Sequence, residues 1–390
     1  MSTLPAPNAA ATQATWADVN RDVIRTIGMP GDRYFAWMCL VALTLACGVA
    51  AWTWQIWVGI GAAGKRTPQM WAMYITTFVF WIGIGHAGTL ISAVLYLFRA
   101  RWRTAIYRGA EAMTVFAVMT AGLFPLIHAG RMWFAYWLMP YPNQRYLWPN
   151  FKSPLVWDVF AISTYLTISV VSFDFAMALV PGWHSTLFPP FFVDGAIFSG
   201  FAMVLILILP MRYLFDWYPY ITDRHLDAMA KLTLVTSLVL TYFYTCEVFT
   251  AWYSGDHFER ASVFAKASQQ YAWAYWGMYF CNCLVPLVLL SRKARTHVVT
   301  LYVVSIFVLI GMWLERFNII VPGLAHDFYP YTWGTYYPTV TDSAIIVGSF
   351  AWFFILFLGF IRVMPSLSIV EVKEVLPHPL KHAASHGGHP

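Results

Sequence analysis

The sequence predicts an all-α integral membrane protein, on three observations. Hydrophobic residues make up 59% of the 390 residues and charged residues 11%, against about 25% charged in a soluble domain. Apolar runs recur along the whole chain, most of them at least as long as the roughly 20 residues that cross a bilayer as a helix. The basic residues behind the net charge of +6 gather at the ends of the runs, as Arg99, Arg101, Arg103 and Arg108 do. That placement orients spans; it is not a nucleic-acid-binding pattern.

Residues 1–34 are polar and rich in Ala, Thr and Pro, with no apolar core of a signal peptide. They read as a cytoplasmic tail with one short interfacial helix over 16–27. Nine apolar runs follow, at about 36–60, 71–98, 109–138, 155–180, 191–215, 228–253, 271–291, 298–318 and 343–363. Trp52, Trp54, Trp57, Trp133, Trp137, Tyr329, Tyr331, Trp333, Tyr336 and Tyr337 crowd their ends, where amphipathic rings sit at headgroup depth. Residues 364–390 form a second cytoplasmic tail, with four histidines after Pro377. Pro and Gly keep it from packing, and no metal role is assigned to it.

Charge tests the count of spans. The arginines between runs two and three place that loop, and both termini, in the cytoplasm. If 155–180 crossed once, Arg292, Lys293 and Arg295 would fall outside. If it enters and returns to the outer face, those residues, Arg212 and Arg224 fall inside. Twenty-six residues make a helix of about 39 Å, enough for one crossing and not two. The segment is therefore expected to be two part-spans, 155–167 and 168–180, with several dozen residues missing at Thr167–Ile168.

Ionisable side chains at membrane depth cost several kcal/mol unless paired or wetted, so they are functional candidates. His128 and Arg131 are three apart and would share a face of a helix. Pro125 can kink that helix, and Gly130 permits close approach. Asp158 opens the divided segment and Asp174 lies near its end, so both carboxylates would approach the outer face beside His128. Oxidising a quinol releases two electrons and two protons. Its hydroxyls need a histidine and carboxylates within hydrogen-bond reach. Trp133, Phe134, Phe173, Phe175 and Trp183 could wall a flat ring. Deeper, His86 lies among Gly83, Gly85 and Gly88, which admit a neighbouring helix. His86 and Glu111, with Glu247 and Asp194 as lesser members, suit a proton path. A proton or ion transporter without redox chemistry would want similar acids, and a scaffold would bury them for structure alone.

Cys39, Cys47, Cys246, Cys281 and Cys283 all lie in apolar stretches and show no cluster or c-type haem spacing. His86 is central and His128 peripheral, so they do not make a b-haem pair. No metal site, haem or iron–sulfur cluster is expected in this chain; quinol is the expected bound molecule, as substrate.

Five stretches, FWIGIGHAGTLISA (80–93), RWRTAIYRGAEAMTVFAV (101–118), GLFPLIHAGR (122–131), WPNFKSPLVWD (148–158) and SFDFAMALVPGWHSTLFPPFFV (172–193), resemble the NrfD-like polysulfide reductase membrane subunits. More narrowly, they resemble the larger quinol-binding membrane subunit of bacterial alternative complex III. The resemblance covers most of 35–363. It implies about ten transmembrane helices, arranged as two four-helix bundles with two flanking helices, in a bacterial inner membrane. It also implies quinol oxidation near the outer face, with menaquinone or ubiquinone as product. The implied partners are an extrinsic iron–sulfur, molybdopterin-like subunit, multihaem cytochrome c subunits and a second NrfD-like subunit. His128, Asp158 and Asp174 would form the quinol site, and His86 and Glu111 a proton path. Members of the family have a cytoplasmic loop and two complete helices where this chain runs Thr167-Ile168. The related alternative is a membrane anchor that passes quinol electrons to a polysulfide or molybdoenzyme reductase.

Overall fold

The computed structural model describes residues 15–28, 30–66, 69–138, 141–142, 146–151, 156, 168–183, 185–326, 328–329, 331 and 333–375. The protein is an all-α integral membrane protein. The first helices are α1 (Trp16–Ile24), α2 (Asp32–Val58), α3 (Ala72–Leu97), α4 (Tyr107–His128), α5 (Ile168–Ala176) and α6 (Phe188–Leu214). They are followed by α7 (Asp223–Tyr253), α8 (His257–Ser268), α9 (Ala272–Tyr279), α10 (Arg292–Thr296), α11 (Val298–Ala325), α12 (Val340–Val363) and α13 (Ile369–Val375). α9 continues as a π-turn at Phe280–Leu284 and a 3-10 segment at Val285–Leu290. Among the described residues, eight helices are long and apolar enough to cross a membrane: α2, α3, α4, α6, α7, the α9 run to Leu290, α11 and α12.

Small residues set the crossings. Without a hydrophobic force between helices in lipid, association rests on close van der Waals approach. A Cβ on Gly48 would lie 2.6 Å from the Gly348 Cα, so α2 and α12 touch through their backbones. A Cβ on Gly88 would lie 2.1 Å from the Thr114 hydroxyl, and one on Gly200 would lie 2.1 Å from the Ala87 Cβ. α3 is thereby wedged between α4 and α6. Most of the α6 face is buried, whereas α2 exposes Trp37, Leu40, Leu43, Trp54 and Trp57.

One end of the bundle carries α1, the α3–α4 loop, residues 215–222, α10 and α13. Arg25 donates to the Phe215 carbonyl (3.2 Å), Tyr220 to Asp22 (3.0 Å) and Arg362 to the Thr26 carbonyl (3.0 Å), tying this end together. This basic end holds Arg99, Arg103, Arg108, Arg212, Arg224, Arg292, Lys293, Arg295 and Arg362. The opposite end carries residues 59–66, 69–71, 129–138, 177–183, 185–187, 254–271, 326, 328–329, 331 and 333–339. There Thr339 donates to the Ala62 carbonyl at 3.0 Å, and the Trp71 ring centroid lies 6.0 Å from that of Phe175. α4 finishes and α6 begins at this opposite end, so the chain between them leaves and returns to one side. The stretch 157–167, with Asp158, lies outside the described residues.

Two local readings of the sequence are corrected. The run 109–138 is not one helix. α4 stops at His128, Gly130 has φ +75°, and a 3-10 turn over Met132–Leu138 follows. Apolarity continues past the stop, but a glycine in the left-handed region ends a helix whatever follows it. Arg131 therefore lies beyond the helix, exposed, and does not share a helical face with His128. Likewise the helix within 168–180 ends at Ala176.

Candidate functional site

The end of α4 delivers His128, half-buried, to the end opposite the basic one. Its Nδ1 lies 2.8 Å from Lys65 Nζ. At that distance one nitrogen donates and the other accepts. Either an ammonium donates to Nδ1, or Nδ1–H donates to a neutral amine. Lys65 reaches this place because Gly64, with φ +57°, turns the chain at the end of the short 3-10 segment Ile60–Ala63. The Lys65 nitrogen also lies 4.3 Å from the Tyr74 ring centroid. The Tyr74 hydroxyl donates to Gln55 Oε1 at 2.5 Å, and Gln55 Nε2 donates to the Ile127 carbonyl at 3.0 Å. Side chains from α2, α3 and the 59–71 loop thus close a ring around the last turn of α4.

An acid completes this ring. Asp342, 1% exposed, sits in the first turn of α12. Its Oδ2 accepts from the Tyr336 hydroxyl (2.6 Å) and from the Thr339 backbone N–H (3.1 Å). Its Oδ1 is buried and has no hydrogen-bond partner. The positive end of a helix dipole favours the carboxylate there. Burial pulls the Lys65 ammonium down to about 7, while the Asp342 charge pulls it the other way. The same burial, with the Asp342 carboxylate beside it, raises the Tyr336 phenol above its ordinary value. Lys65 and Asp342 escaped the sequence reading. Lys65 lies in a short loop between two runs and Asp342 at the mouth of another, positions where charge is ordinary.

The expected ring-binding residues divide. Phe175 is fully packed among Trp71, Trp183 and Phe192, with centroids 6.0, 4.9 and 5.7 Å away. Trp183 also donates to the Ile319 carbonyl at 2.7 Å. Phe173 is 49% exposed, on the outer side of α5, next to half-buried Asp174. Trp133 and Phe134 are exposed in the turn that follows Arg131, with ring centroids 6.3 Å apart.

The deeper candidates fall into two places. His86 is buried in the α3–α4–α6 crossing. Glu111, half-buried, lies one turn from Thr114, whose hydroxyl faces Gly88 and has no partner. Asp194 and Glu247 join a second assembly. Glu315 and Arg316 on α11 are 1% and 2% exposed, with Oε1 and Nη1 2.7 Å apart. Arg316 lies 4.1 Å over the Phe192 ring. Tyr244 donates to Glu315, and Asn282, in the π-turn, donates to Tyr244 at 2.8 Å. Asp194 faces the Glu315 carboxylate. Glu247 lies 3.6 Å from buried Lys266. The sequence did carry a signal for Glu315–Arg316: adjacent opposite charges inside an apolar run. Among the described residues, no group of three or more His, Cys, Asp or Glu side chains is placed to hold a metal ion.

Comparison with known proteins gives the same kind of membrane subunit. The family described as "Polysulphide reductase, NrfD" matches residues 61–175 and 172–326, the two matches meeting within α5. The chain is 23% identical over 442 residues to a "Putative dimethyl sulfoxide reductase membrane subunit" of Halobacterium salinarum, covering 92% of this chain and 95% of the relative. It is 21% identical over 399 residues to the "Hdr-like menaquinol oxidoreductase integral membrane subunit" of Archaeoglobus fulgidus, covering 88% and 96%.

Proposed function

Because the chain belongs to the polysulphide reductase (NrfD) family, we propose that it is the quinol-binding, quinol-oxidising membrane subunit of an electron-transfer complex of the alternative complex III type. The observation that carries the reading is the pairing of His128 with Lys65 at 2.8 Å. It puts a titratable imidazole at the rim of the bundle, beside the exposed aromatic turn of Trp133 and Phe134. A lipid-soluble quinol can reach such a rim from the side. His128 accepts the first proton. Asp158 and Asp174 serve the second, and Arg131 biases both. Phe173 and the Trp133–Phe134 turn face the ring, and buried Phe175 backs them. The quinol, of mena- or ubi-type, is substrate. Its electrons leave to an extrinsic iron–sulfur subunit and on to multihaem cytochromes c, next to a second subunit of this family. The basic end faces the cytoplasm, so His128 lies toward the outer face. His86, Glu111, Asp194 and Glu247 carry protons through the bundle.

A second reading, a quinol-linked anchor of a reductase complex, is favoured by the name of the Halobacterium relative. It shares the quinol step and differs only in the acceptor. Replacing His128 by Ala in the assembled complex tests what the two share. Quinol oxidation is expected to fall roughly a hundredfold or more with assembly intact; unchanged turnover overturns the assignment. Co-purified cytochromes c favour the first reading, and a molybdenum subunit the second.

A further inference from the structure

Lys65 pairs with His128, and the quinol reading gives it no share in moving the proton. We infer that Lys65 relays the proton that His128 takes from quinol, passing it from the imidazole to the outer surface with the buried Asp342 carboxylate as its fixed counter-charge. The inference rests on the quinol reading of His128 and adds the route out.

Three observations carry it. Imidazole conducts a proton by accepting at one nitrogen and releasing from the other. The releasing nitrogen, Nδ1, is the one within 2.8 Å of Lys65 Nζ, which leaves Nε2 for the substrate hydroxyl. Second, Lys65 is poised to change charge. Burial brings its ammonium to about 7, against about 10.4 for a free lysine. The groups facing it are His128 from α4, Tyr74 from α3 and Asp342 from α12, and Tyr336, from the segment before α12, donates to Asp342. Asp342 is the one anion among them. Third, the Asp342 carboxylate is held by Tyr336 and Thr339 on one oxygen only. The other oxygen is buried without a partner, so this acid is left to compensate a cation.

Before turnover Lys65 is a neutral amine accepting Nδ1–H of His128. The quinol O–H bond breaks and an Nε2–H bond forms. The Nδ1–H bond then breaks as an Nζ–H bond forms, leaving His128 neutral and Lys65 an ammonium opposite Asp342. The second quinol O–H gives its proton to the carboxylates Asp158 and Asp174, and a one-electron acceptor in the extrinsic partner would take the two electrons singly, leaving the quinone. Lys65 then discharges to water beside exposed Arg66, and the imidazole returns to its first tautomer. Two cations cannot share a 2.8 Å contact, so protonation of the imidazole itself drives the transfer.

The test uses the whole complex in two arms. In the first, lysines are labelled with an amine-reactive reagent across a pH series from mildly acidic to alkaline, and the peptide holding residue 65 is read by mass spectrometry. The labelling midpoint is expected near 7 and is expected to move lower in Asp342→Asn, which loses the anion. A midpoint at the ordinary lysine value overturns the inference. In the second arm, oxidation of a soluble naphthoquinol and a soluble benzoquinol is followed against pH for Lys65→Met and Lys65→Arg. Lys65→Arg keeps a cation that cannot release its proton. Both variants are expected to bind quinone and to lose turnover by roughly a hundredfold, with the wild-type inflection near neutrality gone. An assembled Lys65→Arg complex with the wild-type profile overturns the relay while a dead His128→Ala complex still upholds the site. A fully active His128→Ala complex overturns the site itself, whatever the labelling midpoint.

Discussion

Arg316 and Glu315 sit side by side on α11, almost without exposure. Taking one charge from a buried pair leaves the other uncompensated and costs about 3–5 kcal/mol, whereas removing both costs far less. Arg316→Met removes the guanidinium that pairs with Glu315 and lies over the Phe192 ring, and should lower the unfolding midpoint of the solubilised protein sharply. Adding Glu315→Gln should recover much of the loss. Lys65 makes an independent prediction. Its folded-state value of about 7 lies below its unfolded value of about 10.4. Between those two pH values the unfolded chain binds the extra proton, so this residue makes stability rise as pH rises. Lys65→Met should remove that rise, measured as thermal midpoints below, within and at the top of that window. Residues of this kind were unevenly legible. His86, His128 and Asp174 stood out because they interrupt or flank apolar runs. Lys65 and Asp342 did not, because their burial comes from three other segments folding over them, and no local pattern records that.

At the scale of elements, hydropathy located most helices within a few residues and failed where backbone geometry decided. The run 109–138 is apolar nearly throughout, yet Gly130 at φ +75° ends α4 well short of Leu138. The π-turn at Phe280–Leu284 is likewise invisible to periodicity. It turns Asn282 toward Tyr244, and α11 admits it through Gly311, where a Cβ would lie 2.1 Å from Asn282 Oδ1. π-turns inside helices often mark functional places, and here the turn builds the Glu315 cluster. The α2–α12 contact is held through Gly48 and Gly348, with α2 exposed over most of its remaining surface. Gly348→Val should force the two helices apart, costing about 1–3 kcal/mol. Its signature should be protease sensitivity of the linker between α1 and α2 and a lower melting temperature, with the α3–α4–α6 core intact. A Gly348→Val protein as stable as wild type would show that α2 is held elsewhere.

For the whole molecule the decisive quantity is which side each end faces. Arg362 reaches the Thr26 carbonyl, and Lys373 lies 5.6 Å from the Trp16 ring centroid, so both ends of the described chain meet at the basic end. Arg99, Arg103, Arg212, Arg224, Arg292, Lys293 and Arg295 join them there. Lys and Arg in short loops set orientation by staying in the cytoplasm. Under the proposed orientation, the opposite end, with His128, Lys65 and Asp342, faces outward. The same assignment requires the chain between α4 and α6 to cross an even number of times. The positions of His128 and Phe188 at one end satisfy this whatever path 157–167 takes. Single cysteines placed in a chain cleared of its five native ones test the arrangement. Tyr331→Cys should react with a membrane-impermeant maleimide in intact cells, and Lys293→Cys only after the membrane is opened. The reverse pattern would put His128 on the cytoplasmic side. A proton released through Lys65 would then enter the compartment that respiration empties, and quinol oxidation at this site would dissipate the gradient instead of adding to it.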